Sequence, residues 1–74
     1  MKNIEEYLDN LTINDFIGAY GDIKKLHNTG MCPSGVLRTV AKMCKEVTGN
    51  FDLSFAEKMI LERIADMWYR QNQV

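Results

Sequence analysis

The sequence predicts an all-α fold, a small single-domain bundle of four short helices spanning residues 1–74. Three observations predict it. Apolar residues recur at spacings of three and four, the period of one helix face. No run alternates in the manner of a strand, and no window repeats. Glycine, proline and polar capping residues punctuate the chain between these periodic segments.

The first helix, about residues 3–10, follows from Ile4, Tyr7, Leu8 and Leu11 on one side. It is too short to persist alone in water, so it must dock on the rest. The second starts after Thr12, a capping residue with Asp15 three positions on, where a negative side chain meets the positive helix end. Phe16, Ile17, Tyr20, Ile23 and Leu26 carry it to about Asn28. Gly18 and Gly21 lie inside, each costing up to about 1 kcal/mol against alanine. Either they admit another helix at close range, or Gly21 ends one helix and Asp22 caps the next. A kink or split near these glycines is the expectation.

Asn28 to Pro33 reads as a turn, with Gly30 in left-handed torsions and Pro33 suited to the first turn of the helix that follows. That third helix, about residues 34–48, is expected to bury Val36, Leu37, Val40, Cys44 and Val47 and to end at Gly49-Asn50. The fourth, about residues 54–71, opens with Ser54 and Glu57 as a capping box. Its apolar face holds Phe55, Met59, Ile60, Ile64, Met67 and Trp68. Short connections favour antiparallel neighbours.

At 74 residues, with 46% hydrophobic and 26% charged side chains, the chain is globular in composition but near the lower size limit for folding alone. Such a domain relies on an unusually regular core or on a partner that covers apolar surface. Cys32 and Cys44 are too few for a disulfide scaffold and form no CxxC pair, so reduced thiols are expected. Acids in Met1-Lys2-Asn3-Ile4-Glu5-Glu6 stand where a secretory leader would be apolar. No apolar run is long enough for a membrane span. A cytoplasmic protein without membrane contact is the expectation.

The net charge of −1 is uninformative, but its distribution is not. Residues 1–22 carry −4, residues 23–45 carry +5 and residues 46–74 carry −2. The middle segment holds Lys24, Lys25, Arg38, Lys42 and Lys45 and no acid. Arg38, Lys42 and Lys45 share one face of the third helix, off its apolar stripe. Such a face meets phosphates or an acidic protein surface, unless acids of neighbouring helices neutralise it.

The segment Leu26-His27-Asn28-Thr29-Gly30-Met31-Cys32-Pro33-Ser34-Gly35-Val36-Leu37-Arg38 resembles a helix-turn-helix. In that motif the opening residues of the second helix point at base edges. The resemblance implies Ser34, Gly35, Arg38 and Thr39 at the bases, with Lys42 and Lys45 on phosphates. It departs from the motif at Lys25, Thr29 and Thr39, which stand where apolar packing is usual, and at Leu26, which replaces a small residue. Gly18-Ala19-Tyr20-Gly21 matches the bare pattern of the KH-domain clamp, but that domain needs strands.

His27, Cys32 and Cys44 match no zinc spacing and lack a fourth ligand, so no metal and no cofactor is expected. A lone His27 five residues from Cys32, with no third group to orient the pair, does not make a catalytic site. Trp68 is expected to close the core as a continuation of the Ile60–Ile64 stripe. Tyr69 and Arg70 lie off that stripe as contact residues, and Met31 joins them from the turn.

These residues together point to a small non-enzymatic binding protein. It would regulate or inhibit a partner protein through the basic third helix, with the economy of regulators and inhibitors carried by phages and mobile elements. The alternative is a transcriptional regulator on duplex DNA, acting as a homodimer because one short helix rarely supplies enough affinity.

Overall fold

The computed structural model describes residues 3–72, and every regular element in it is a helix. They are α1 (Ile4–Asp9), α2 (Ile13–Thr29), α3 (Val36–Thr48) and α4 (Leu53–Asn72). None is long and apolar enough to cross a membrane.

Local chemistry sets the ends of α1. The Asn3 side chain accepts from the Glu6 N–H at 2.7 Å, and Glu5 and Glu6 place negative charge on the positive end of the helix. Six residues cannot hold a helix alone, so tertiary contacts do it. Leu8 is inserted into the core, with Ile4, Tyr7 and Leu11 packed around it. From α4, Arg63 reaches the Asp9 carboxylate, and its other terminal nitrogen lies 3.4 Å from the Glu5 carbonyl.

The start of α2 is a reciprocal capping box. The Asp15 N–H donates to Thr12 Oγ1 at 3.2 Å, and the Thr12 N–H donates to Asp15 Oδ2 at 2.9 Å. The helix then runs unbroken through Gly18 and Gly21, so the expected split into two helices is absent. Close approach of a neighbour does not explain the glycines either, because a Cβ at each would meet nothing within 4 Å. Phe16, Ala19 and Ile23 anchor the helix on both sides of them, and that burial outweighs their propensity cost. Gly30, at φ 76°, ends α2 in the left-handed conformation.

Pro33 lies in the connecting turn, because α3 begins two residues later than the expected position 34. The N-cap position is Gly35, whose carbonyl accepts from the Thr39 N–H at 2.9 Å. No side chain caps this end, and its first turn contains no acid. Asp22 of α2 compensates: a Cβ built on Gly35 would stand 2.5 Å from its Oδ2. The carboxylate thus sits against the positive end of α3, and any larger residue at position 35 would make it shift.

The buried face of α3 is Leu37, Val40, Ala41 and Cys44. It is rotated away from the expected stripe, leaving Val36 half-buried and Val47 64% exposed. Ala41 accounts for the rotation. Ala19, Ala41 and Ala56 are each fully buried, one on each of the three long helices. Their small side chains let those helices approach closely.

Gly49, at φ 86°, ends α3, and Asp52 rather than Ser54 caps α4. The Asp52 carboxylate accepts from the Phe55 N–H at 2.9 Å, which draws Leu53 and Ser54 into the first turn. A carboxylate satisfies the orphan donor and the helix dipole together, so it takes the cap. On α4 the core residues are Ala56 and Ile60, with Met59, Ile64 and Met67 partly buried. Phe55 and Trp68, expected on the core face, turn outward.

Helix α3 packs on all three of the others. At one end of the α2–α4 pair His27 meets Glu57, and toward the other Phe16 and Met67 line one groove, so the two helices run antiparallel. The molecule measures 42 × 32 × 16 Å, no more than two helices deep.

Candidate functional site

Three surfaces hold the residues singled out from the sequence, together with others that were not. The first is the outer face of α3. Lys42 and Lys45 are exposed there, and among the described residues no carboxylate pairs with either. Arg38 does not join them as a free cation. It is half-buried, and its guanidinium donates to the Cys32 carbonyl in the preceding turn. Burying the turn leaves that carbonyl without a backbone donor, and a guanidinium is well suited to supply one. Thr39 also turns inward on its own helix, its hydroxyl donating to the Gly35 carbonyl at 2.9 Å. Glu46, exposed four residues beyond Lys42, borders the face with one negative charge.

The second surface is the α2–α3 turn. Met31 is 74% exposed, and its N–H donates to Thr29 Oγ1 at 3.2 Å. Ser34 and Gly35 are also exposed, but the Asp22 carboxylate stands beside them. Lys25 projects from α2 without an ion pair among the described residues, whereas Lys24 folds over the Tyr20 ring at 4.8 Å. The five cations of the middle segment therefore do not merge into one patch.

The third surface was not anticipated. Ile13, Ile17 and Tyr20 form a ridge on α2 beside its buried stripe, and Leu61, Ile64 and Trp68 form one on α4. A groove between the helices is lined by Ile13, Phe16, Ile17, Tyr20, Ile64 and Met67. Ile17 is 64% exposed and Trp68 is 69% exposed. A separate apolar groove of about 330 Å3 lies between α1, α3 and α4, where Val47, Phe55 and Met59 meet Ile4 and Cys44. The angular spread of the apolar positions would have exposed the α2 ridge: Ile17 and Leu26 lie about 180° apart around the helix, too wide for one face.

No protein-family model matches the chain, and neither a curated protein nor a solved structure matches it.

Arg70 stands exposed off the apolar stripe and pairs with Asp66 at 3.3 Å one turn back on α4. Tyr69 is exposed beside it. Among the described residues no group of three His, Cys, Asp or Glu side chains is placed to hold a metal ion. His27 Nε2 lies 2.5 Å from Glu57 Oε1, Cys32 Sγ faces the Pro33 carbonyl at 3.6 Å, and Cys44 is buried. Burial, reinforced by the Asp52 carboxylate, raises the Cys44 thiol above its ordinary value, so it stays protonated and unreactive.

Proposed function

We propose that this protein is a non-enzymatic binding module that regulates or inhibits a partner protein by docking on an acidic patch through the outer face of α3. The supporting observation is the pair Lys42 and Lys45, exposed on one face and unpaired among the described residues. Two ammonium groups on a rigid helix offer a fixed charge pattern, which speeds encounter with an acidic surface and selects its register. Arg38, tied to the turn, holds the helix entry in place and contributes little charge outward.

Duplex DNA is the weaker reading. A recognition helix meets the duplex with its opening residues, where backbone amides and the helix dipole favour phosphate. Here that end carries the Asp22 carboxylate against Gly35, so a negative charge faces the incoming polyanion. Arg38, one of the side chains expected at the bases, is also held by the Cys32 carbonyl.

The test is a cross-linked pull-down from the native host with wild type and with Lys42→Glu/Lys45→Glu. Wild type should return one stoichiometric protein that the charge-reversed variant loses while keeping its helical circular dichroism. Equal recovery by both would overturn the role of α3. Duplex DNA titrated at low salt should show no micromolar binding. Steeply salt-dependent binding, lost in the variant, would favour the DNA reading instead.

A further inference from the structure

The two ridges on α2 and α4 share a spacing that belongs to helix–helix seams. On α2, Ile13, Ile17, Tyr20 and Lys24 are separated by four, three and four residues. On α4, Leu61, Ile64 and Trp68 are separated by three and four. This 3-4 alternation is the heptad pattern that keeps one apolar line facing a partner helix. Each line lies beside the stripe its helix already buries in the monomer, and Ile13, Ile17 and Tyr20 of the one share a groove with Ile64 of the other. The antiparallel pair therefore presents a two-helix layer whose outer side no other described residue covers.

From this we infer that the protein forms a two-fold symmetric homodimer through the α2–α4 face, the two layers together completing a four-helix seam. Charge selects a second copy as the occupant. An isologous interface brings the same patch against itself, so a row of like charges would repel. The lysine face of α3 would do so, whereas the α2–α4 ridges carry no row of like charge: Glu57 and His27 meet at the end where Lys24 stands. The Lys24 ammonium is turned onto the Tyr20 ring, leaving its aliphatic stem along the ridge. The net charge of −1 adds almost no repulsion between copies.

Size agrees with charge. The exposed parts of Ile13, Ile17, Tyr20, Leu61 and Trp68 amount to on the order of 500 Å2, toward the upper end of the largest apolar patch a monomer carries, which is often functional. Doubled and extended by its polar rim, the patch reaches the lower end of specific interfaces, about 1,200 Å2 in total. Such an area supports a reversible dimer, and a domain near the size limit gains stability from it.

Trp68 is the chain's sole tryptophan and sits on the proposed interface, so it reports the event directly. Sedimentation of the full chain from low to high micromolar concentration should show a monomer passing to a dimer. Trp68 emission should shift to the blue over the same range. Ile17→Asp should abolish both changes without loss of helical circular dichroism, since its side chain lies outside the core. Val47→Asp, on the other apolar groove, and Lys42→Glu/Lys45→Glu should both dimerise like wild type. A chain that stays monomeric throughout, or a dimer lost with Val47→Asp and kept with Ile17→Asp, would overturn the inference. Neither outcome bears on the partner proposed for α3, which the pull-down tests separately.

Discussion

Leu8, Leu37, Val40 and Ile60 are the largest side chains with essentially no exposure, and each is hemmed in by other helices. Truncating one leaves a cavity that short helices can only partly close. Ile60→Ala should cost about 2–5 kcal/mol, read as a lower denaturant midpoint, which consumes most of the stability of so small a domain. Cys44 adds a pH dependence. Its folded thiol is raised above the ordinary value of 9.0, so both states are protonated below that value and no stability is at stake there. As pH rises past it, the unfolded chain loses the proton before the folded one, and stability falls. Unfolding curves above that pH should weaken in wild type and less so in Cys44→Ala compared with its own neutral-pH value. Most of the core residues were legible from spacing alone, because Leu8, Phe16, Ile23, Leu37, Val40, Cys44 and Ile60 all lie on single stripes. Trp68 was misread because a helix wheel shows which side a residue occupies but not where the neighbouring helix ends. The pairing of Arg38 with the Cys32 carbonyl was equally hidden, since it depends on how the turn folds back.

Helix ends and interiors test the balance between local propensity and packing. Thr12 with Asp15, Gly30 and Gly49 were readable because each cap needs only residues within one turn. Ser54 with Glu57 satisfied the same local rule and was wrong, because Asp52 two residues earlier makes the stronger, charged cap. At Gly18 and Gly21 the local rule for a break yielded to burial on either side. Both positions are open to a methyl group, so Gly18→Ala and Gly21→Ala should each raise stability by about 0.4–1 kcal/mol, seen as a higher melting temperature. Gly35 should behave in the opposite way. An alanine there meets Asp22 Oδ2, so Gly35→Ala should lower the melting temperature, and adding Asp22→Ala should recover part of the loss. Additive losses in the double variant would show that the two residues do not interact.

At the scale of the molecule, three alanines bring α2, α3 and α4 together, and few larger residues fit where they stand. Ala41→Leu should therefore overpack the centre and cost about 1–3 kcal/mol, measured by chemical denaturation. The four-helix count and the all-α class followed from periodicity, while the flat shape did not. Flatness arises from how helices cross, which no local pattern encodes, and it is why two apolar grooves remain on the outside.

The reach of α4 has a consequence for how the chain acquires its structure during synthesis. Ala56 and Ile60 fill the centre, Arg63 holds α1, and Glu57 meets α2, all from the helix that leaves the ribosome after the other three. Until it emerges, the nascent segments can form only fluctuating turns around an unfilled middle. Once it does, connections of a few residues leave little loop entropy to overcome, and closure should be fast.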